Sequence, residues 1–367
     1  MNILAIETSC DDTCIAVLEA KDSKFKILSN IVSSQVKLHR KYGGVFPSLA
    51  KREHQRNLPI VLNKALRKAG FAISNFQFPI FKIDLIAVTA GPGLEPCLWT
   101  GINFAKELAK KLNLPVIPIN HIEAHIFANF IKKLKAVFPA ICLVVSGGHT
   151  QLILMRDFGE YRILGETRDD AAGECLDKAA RILGLGYPGG PIISKLAKSP
   201  LKKRGISVNL PRPMIFQKNY DFSFSGLKTA VLYDFKNRPK KIRESPKESL
   251  RDPTGQEKNY RIAMAKEIQQ AIIDVLITKT IKAAKEYKAK SVILGGGVAS
   301  NDELRKQFKE KIKKEVPGCK FHIPEPQFCT DNATMIAITG YFHQMSKKTY
   351  EWKKIEADAN LKIDESL

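Results

Sequence analysis

Twice along this chain an apolar strand runs into a short polar or glycine turn, returns as a second strand, and is followed by a third. The first copy predicts a strand over 2–7, a turn through Cys10, Asp11, Asp12 and Thr13, a return from Cys14 to Glu19 and an alternating segment from Phe25 to Val32. The second copy predicts a strand from Ala140 to Val145, a turn at Ser146-Gly147-Gly148, a return from His149 to Met155 and a third strand from Tyr161 to Gly165. Helices alternating with strands follow each copy. The simplest architecture is an α/β fold of two duplicated lobes with one ligand cleft between them, each hairpin turn facing the cleft.

The bulk properties agree with a globular protein and exclude several classes. A chain of 367 residues with 44% hydrophobic and 26% charged residues can fill two cores. No apolar run reaches the roughly twenty residues of a membrane helix. The N-terminus enters a strand at once, without a basic region or long apolar run, so no signal peptide is expected. The seven cysteines are scattered, odd in number and without CxxC spacing, which predicts free thiols in a reducing cytoplasm and excludes a zinc ribbon. A formal net charge of +22 favours a polyanionic partner such as nucleic acid, although base composition alone can make a chain lysine-rich.

Several stretches carry candidate chemistry. The helical pattern from Leu49 to Ala69 is basic on its outer face. A strand over 84–90 ends at Gly91-Pro92-Gly93, a helix runs from near Cys97 to Leu112, and a strand follows from Pro115 to Ile119. His121 and His125 then lie four residues apart at the start of a helix, one turn apart on one face. They can share a metal ion or can simply be polar residues of an amphipathic helix. Glu123 sits about 200° around that helix from each, unlike the Glu of a metallopeptidase HExxH motif, so it cannot be a metal-side base. A helix is expected from Ala171 to Leu183. Gly295-Gly296-Gly297 joins the strand at Ser291–Leu294 to a helix near Asp302, and glycines there suit a nucleoside lying on the backbone. Asp331 opens the last helix as an N-cap or as a third metal ligand. The stretch from about Lys236 to Arg261 reads as a basic, solvated insertion.

These residues assembled, the chain resembles the TsaD family of tRNA threonylcarbamoyltransferases. The resemblance rests on Ile6–Thr13, Gly43-Gly44-Val45, Ala90–Leu94, His121–His125, Val144–Gln151, Asp169–Glu174, Tyr187–Pro191, Asp221–Lys228, Gly296-Gly297-Val298 and Cys329–Asn332. Glu95-Pro96-Cys97 departs from the small residues many members carry there, which puts the local helix start in doubt. The resemblance implies two actin-like (RNase H-like) lobes, 1–118 completed by a helix at about 331–347, and 119–330 with the insertion at about 236–261, before a tail over 348–367. It implies a divalent metal, iron or zinc, on His121, His125 and Asp331, and magnesium with a bound nucleotide. It implies an adenylate pocket at Val144, Val145, Ser146, Gly147, Gly148, Asp177, Gly190 and Asn301. The reaction implied is transfer of threonylcarbamoyl from threonylcarbamoyl-AMP to the N6 amine of the adenosine 3′ of the anticodon, in tRNAs reading codons that begin with A. Helper proteins of the TsaB and TsaE type, and an adenylate synthase of the TsaC/Sua type, would accompany it in the cytoplasm, with no membrane. Asp11 and Asp12 are candidates for the general base by position. The competing readings are an actin-like small-molecule kinase, which fits the phosphate turns but not a metal pair, and a metallopeptidase.

Overall fold

In the computed structural model, which describes residues 1–22, 24–71, 83–132, 136–201, 206–239, 256–346 and 350–365, the two predicted copies become two sheets of identical topology. In the first, β1 (Asn2–Glu7), β2 (Asp12–Lys21) and β3 (Lys24–Ser34) form an antiparallel meander. The chain continues through α1 (Pro47–Lys68), β4 (Leu85–Gly91), α2 (Glu95–Leu112), β5 (Val116–Asn120) and α3 (His121–Phe127). β4 pairs parallel to β1 and β5 to β4, giving the order β3-β2-β1-β4-β5.

The second sheet repeats the plan with β6 (Ala140–Val145), β7 (Thr150–Asp157) and β8 (Glu160–Glu166) as the meander. After α4 (Ala172–Ile182), α5 (Gly189–Ala197), α6 (Ser225–Asn237) and α7 (Gln256–Glu286) come β9 (Ser291–Gly295), α8 (Asp302–Glu315), β10 (Lys320–His322) and α9 (Ala333–Met345). β9 lies parallel to β6 and β10 to β9, so the order β8-β7-β6-β9-β10 matches the first sheet strand for strand.

The strand period of two decides what each face covers. Leu4 and Ile6 pack with Leu58 and Leu62 of α1 and Ile102 of α2. Their neighbours Ile3 and Ala5 turn the other way, into a cluster with Ile122 and Ile126 of α3 and Met335 and Ile338 of α9. That cluster also contains Cys142, Val144 and Ile153 of the second sheet, so α3 and α9 are the layer between the lobes. The opposite face of the second sheet, through Ile141, Leu143 and Leu152, meets α4 to α8. Central strands covered on both faces are buried throughout, as in β4 and β6, whereas the edge strand β3 alternates.

Some boundaries differ from the expectation. α2 begins at Glu95 rather than near Cys97, because Pro96 occupies its first turn, where a missing N–H costs nothing. β7 begins at Thr150, since His149 still belongs to the turn: Ser146 N donates to the His149 carbonyl at 2.8 Å. Residues 256–261, expected within an irregular insertion, are the first turns of α7 and bury Glu257, Asn259 and Tyr260; 240–255 of that insertion lie outside the described residues.

The tail beyond α9 also packs on the body. Asp358 N donates to the Ala90 carbonyl (2.9 Å), Gly93 N to the Ala359 carbonyl (3.2 Å) and Asn120 Nδ2 to the Leu361 carbonyl (3.4 Å). Ile163 N reaches Asp364 from the second lobe at 3.3 Å. Gly91 must lack a side chain here, because a Cβ would lie 1.9 Å from the Asp358 carbonyl oxygen.

Candidate metal and nucleotide site

α3 is seven residues long and wholly buried, and a helix that short needs external anchoring. Asn120 caps it, its side chain accepting from Ile122 N (2.9 Å) and Glu123 N (3.2 Å). The cap fixes the direction of His121 and His125, whose rings stand 4.6 Å apart at 80°. From the start of α9, Asp331 approaches both: its Oδ1 lies 3.6 Å from His121 Nε2 and 3.4 Å from His125 Nε2. One ligand atom from each of the three falls within 4.8 Å of the others, the only such grouping of His, Cys, Asp and Glu found among the described residues. Asp331 is not the helix cap. Asn332 takes that role, accepting from Met335 N at 3.1 Å, which leaves the aspartate free to face the imidazoles.

The donor set fits a divalent ion. His125 is fully buried, yet neither ring nitrogen has a hydrogen-bond partner, and ligation through Nε2 would satisfy the one that faces Asp331. His121 is oriented from behind: Glu7, at the end of β1 and fully buried, reaches its Nδ1 at 2.8 Å. Thr89 Oγ1 (2.7 Å) and Ser9 N (2.5 Å) donate to the same carboxylate. A carboxylate on Nδ1 leaves Nε2 as the ligand nitrogen, the usual outer support of a metal-binding histidine. Glu123 points elsewhere, as its helical position requires, and is held by the Tyr161 hydroxyl and His343 Nε2, each at 2.8 Å.

The charges interlock. Burial opposes ionisation of Asp331, but His121 and His125 hold it down at about 2. Burial likewise opposes protonation of His121, and Glu7 with Asp331 overrides it, lifting the imidazole to about 9. His149, in the second hairpin turn, is pushed down to about 4 by burial and by the field of His121 and His125. Sequence reasoning missed both Glu7 and His149. Each adjoins a turn already singled out, but only the fold brings them to the histidine pair.

The two hairpin turns border this centre differently. In the first, burial and the Asp331 charge raise Asp11, and raise Asp12 to about 7. Asp11 Oδ2 and Asp12 Oδ1 are buried without a hydrogen-bond partner. In the second, Gly147 and Gly148 are exposed, with nothing within 4 Å of where a Cβ would stand, so their backbone is open to a ligand. Ser146 Oγ accepts from His149 N (3.0 Å) and closes the turn. α4 starts against it: Gly173 N donates to the Ser146 carbonyl, and a Cβ on Gly173 would come within 2.5 Å of that oxygen.

The other predicted nucleotide residues are placed variously. Val144 and Val145 are fully buried in β6 and can offer only main chain. Asp177 accepts from Gly189 N at 2.6 Å, so its carboxylate secures the start of α5, which carries Gly190. Asn301 caps α8 through Leu304 N (3.0 Å) and donates to Gln269 (2.7 Å). Two glycines of the cluster are required by the fold: a Cβ on Gly295 would meet the His125 carbonyl at 2.8 Å, and Gly296 has φ +88°.

Comparison with known proteins shows the family to which the chain belongs. The family model described as TsaD, tRNA N6-adenosine threonylcarbamoyltransferase, matches residues 26–338. A protein of that name from Thermosipho africanus is 46% identical over 99% of this chain and 100% of its own length. Another from Persephonella marina is 46% identical over 99% of this chain and 96% of its own. Among solved structures, full-length HypF in a phosphate- and nucleotide-bound form aligns with TM-score 0.55 at 13% identity, over 95% of this chain and 47% of that one. The Acidaminococcus fermentans (R)-2-hydroxyglutaryl-CoA dehydratase component A aligns with TM-score 0.50 at 15% identity, over 95% of this chain and all of that one. At such identities these two speak for the fold alone.

Proposed function

The chain belongs to the TsaD family of tRNA N6-adenosine threonylcarbamoyltransferases, and from that premise we propose that His121, His125 and Asp331 hold one divalent ion at the acyl end of an adenylate pocket. The observation that carries this is the convergence of the three ligand atoms, with Glu7 fixing His121 from behind.

The reaction joins the N6 amine of the adenosine 3′ of the anticodon to the carbonyl carbon of threonylcarbamoyl-AMP. The new C–N bond forms as the bond from that carbon to the phosphate oxygen breaks; AMP leaves with the electron pair, and the amine gives up a proton. Asp11 and Asp12 are the acceptors this reading assigns, since each has a buried carboxylate oxygen without a partner. The exposed backbone of Gly147 and Gly148 would support the phosphate of the leaving AMP, and magnesium, when bound with the nucleotide, would offset its charge. When bound, iron or zinc, for which two imidazoles and a carboxylate are equally suited, supplies a Lewis acid for the carbamoyl carbonyl.

The +22 charge suits tRNA as the second substrate. The adenylate would come from a synthase of the TsaC/Sua type, with helpers of the TsaB and TsaE type, in the cytoplasm; no described helix is long and apolar enough to cross a membrane. The named relatives support transfer to tRNA and give the kinase alternative nothing. Glu123, turned toward Tyr161 and His343, removes the peptidase alternative. Purified protein given threonylcarbamoyl-AMP, helpers and unmodified tRNA should convert the anticodon-loop adenosine, read by nucleoside mass spectrometry. Unchanged tRNA with an intact adenylate supply would overturn the proposal.

A further inference from the structure

Between Lys37 and Arg52 the sequence holds five cations (Lys37, Arg40, Lys41, Lys51 and Arg52) and no carboxylate, and all five are exposed. Within this run Tyr42 and Phe46 are 54% and 53% exposed, large aromatic surfaces left in water. Their rings stack on each other, centroids 5.9 Å apart and planes inclined by 27°, with Lys41 Nζ 5.1 Å over the Tyr42 ring. Fully buried His39 helps fix the loop, accepting from Phe46 N (3.3 Å) through Nδ1 and meeting Gln35 Oε1 (3.1 Å) through Nε2.

The same loop rims the cleft. Gln35 N donates to the Asp11 carbonyl at 3.0 Å, tying its base to the first hairpin turn. Arg40 Nε donates to the Tyr187 carbonyl at 3.1 Å, and Arg181 donates to the Gly43 carbonyl, so its tip touches the second lobe beside Gly189 and Gly190. The aromatic pair therefore belongs to a loop that runs from the carboxylate turn to the proposed adenylate side.

From this placement we propose that Tyr42 and Phe46 form a stacking platform for unpaired bases of the tRNA anticodon loop, with Lys41 and its neighbouring cations holding the phosphates on either side. Exposed aromatics interleaved with cations are how proteins hold single-stranded nucleic acid, because every base has a π face and every nucleotide a phosphate. A base bound for transfer must leave the loop's stack, and a platform at the cleft rim receives the bases beside it. A protein partner fits less well, since five like charges around the aromatics, none in an ion pair among the described residues, would be desolvated at cost.

The inference rests on the transferase reading, and its test separates the two. Full-length protein is titrated with a fluorescent, unmodified anticodon stem-loop RNA. Tyr42→Ala with Phe46→Ala should weaken binding roughly fivefold to a hundredfold, with thermal unfolding unchanged. Tyr42→Phe and Phe46→Tyr should bind as wild type, since they keep the ring. Wild-type affinity in the double alanine variant overturns the inference. So does normal RNA binding combined with lost association with a helper protein, which would make this a protein-docking surface. Weakened binding in the variant alongside a wild type that leaves tRNA unmodified would support the platform while removing the transferase reading.

Discussion

At the scale of single residues, the centre depends on side chains that never touch the ion. Glu7→Gln keeps the shape beside His121 Nδ1 but removes the charge that fixes the ring, and should weaken zinc or cobalt binding about 10- to 100-fold. Competition with a chromophoric chelator reads this, with unfolding by heat as the control for folding. His121→Ala and Asp331→Ala should each lose the ion outright by elemental analysis; full occupancy in both would return these residues to ordinary packing roles. Asp12 makes a different prediction. Its carboxyl is raised from 3.8 to about 7 in the folded state, so the native protein binds more protons than the unfolded chain between those values. The Asp12 contribution to stability should therefore fall as pH rises from about 4 to 7, against the opposite contribution of His149, so the stability of the wild type minus that of Asp12→Asn, measured by urea unfolding in metal-stripped protein, should decline across that range. The helical spacing of His121 and His125 and the outward direction of Glu123 were legible in the sequence because they follow from one helix. Glu7 and His149 were not, because their approach depends on how two distant turns meet.

At the scale of elements, α3 depends on its ends more than on its length. Asn120→Ala removes the acceptor for two N–H groups and a donor to the tail, and should cost about 1 kcal/mol in urea unfolding. A loss below a few tenths would mean that packing alone orients the histidines. Strands and helices were legible where an apolar run of strand length lay between turn signals, as in β1 and β6, or where a helical period ran on, as in α2. The sequence left alternatives open where one residue or its neighbour can do the same local job. Asp331 and Asn332 can both cap a helix, and tertiary contacts award the cap to Asn332. Gly295 and Gly296, which suit a nucleoside lying on the backbone, are also required to be glycine by the close approach of His125 and Val145.

At the scale of the whole molecule, the duplicated topology was readable because two similar hairpin starts must bury similar faces, but the layer between the sheets was not. Its helices are donated from positions about 210 residues apart, and no local pattern encodes that. The charge surplus acts at this scale too. tRNA affinity should fall steeply between low and high salt, with a log–log slope reflecting several phosphate contacts; a flat response would make the surplus compositional. The first lobe also carries a constraint on its own biogenesis. The face of β1 and β2 bearing Ile3, Ala5 and Cys14 is closed by α9, and Gly91 by the main chain of Asp358, both made after the whole second sheet. The first sheet therefore leaves the ribosome well before the segments that seal it. A fragment ending at Phe130 should be recovered aggregated or bound to chaperones, its apolar face still waiting for the helix that clothes it.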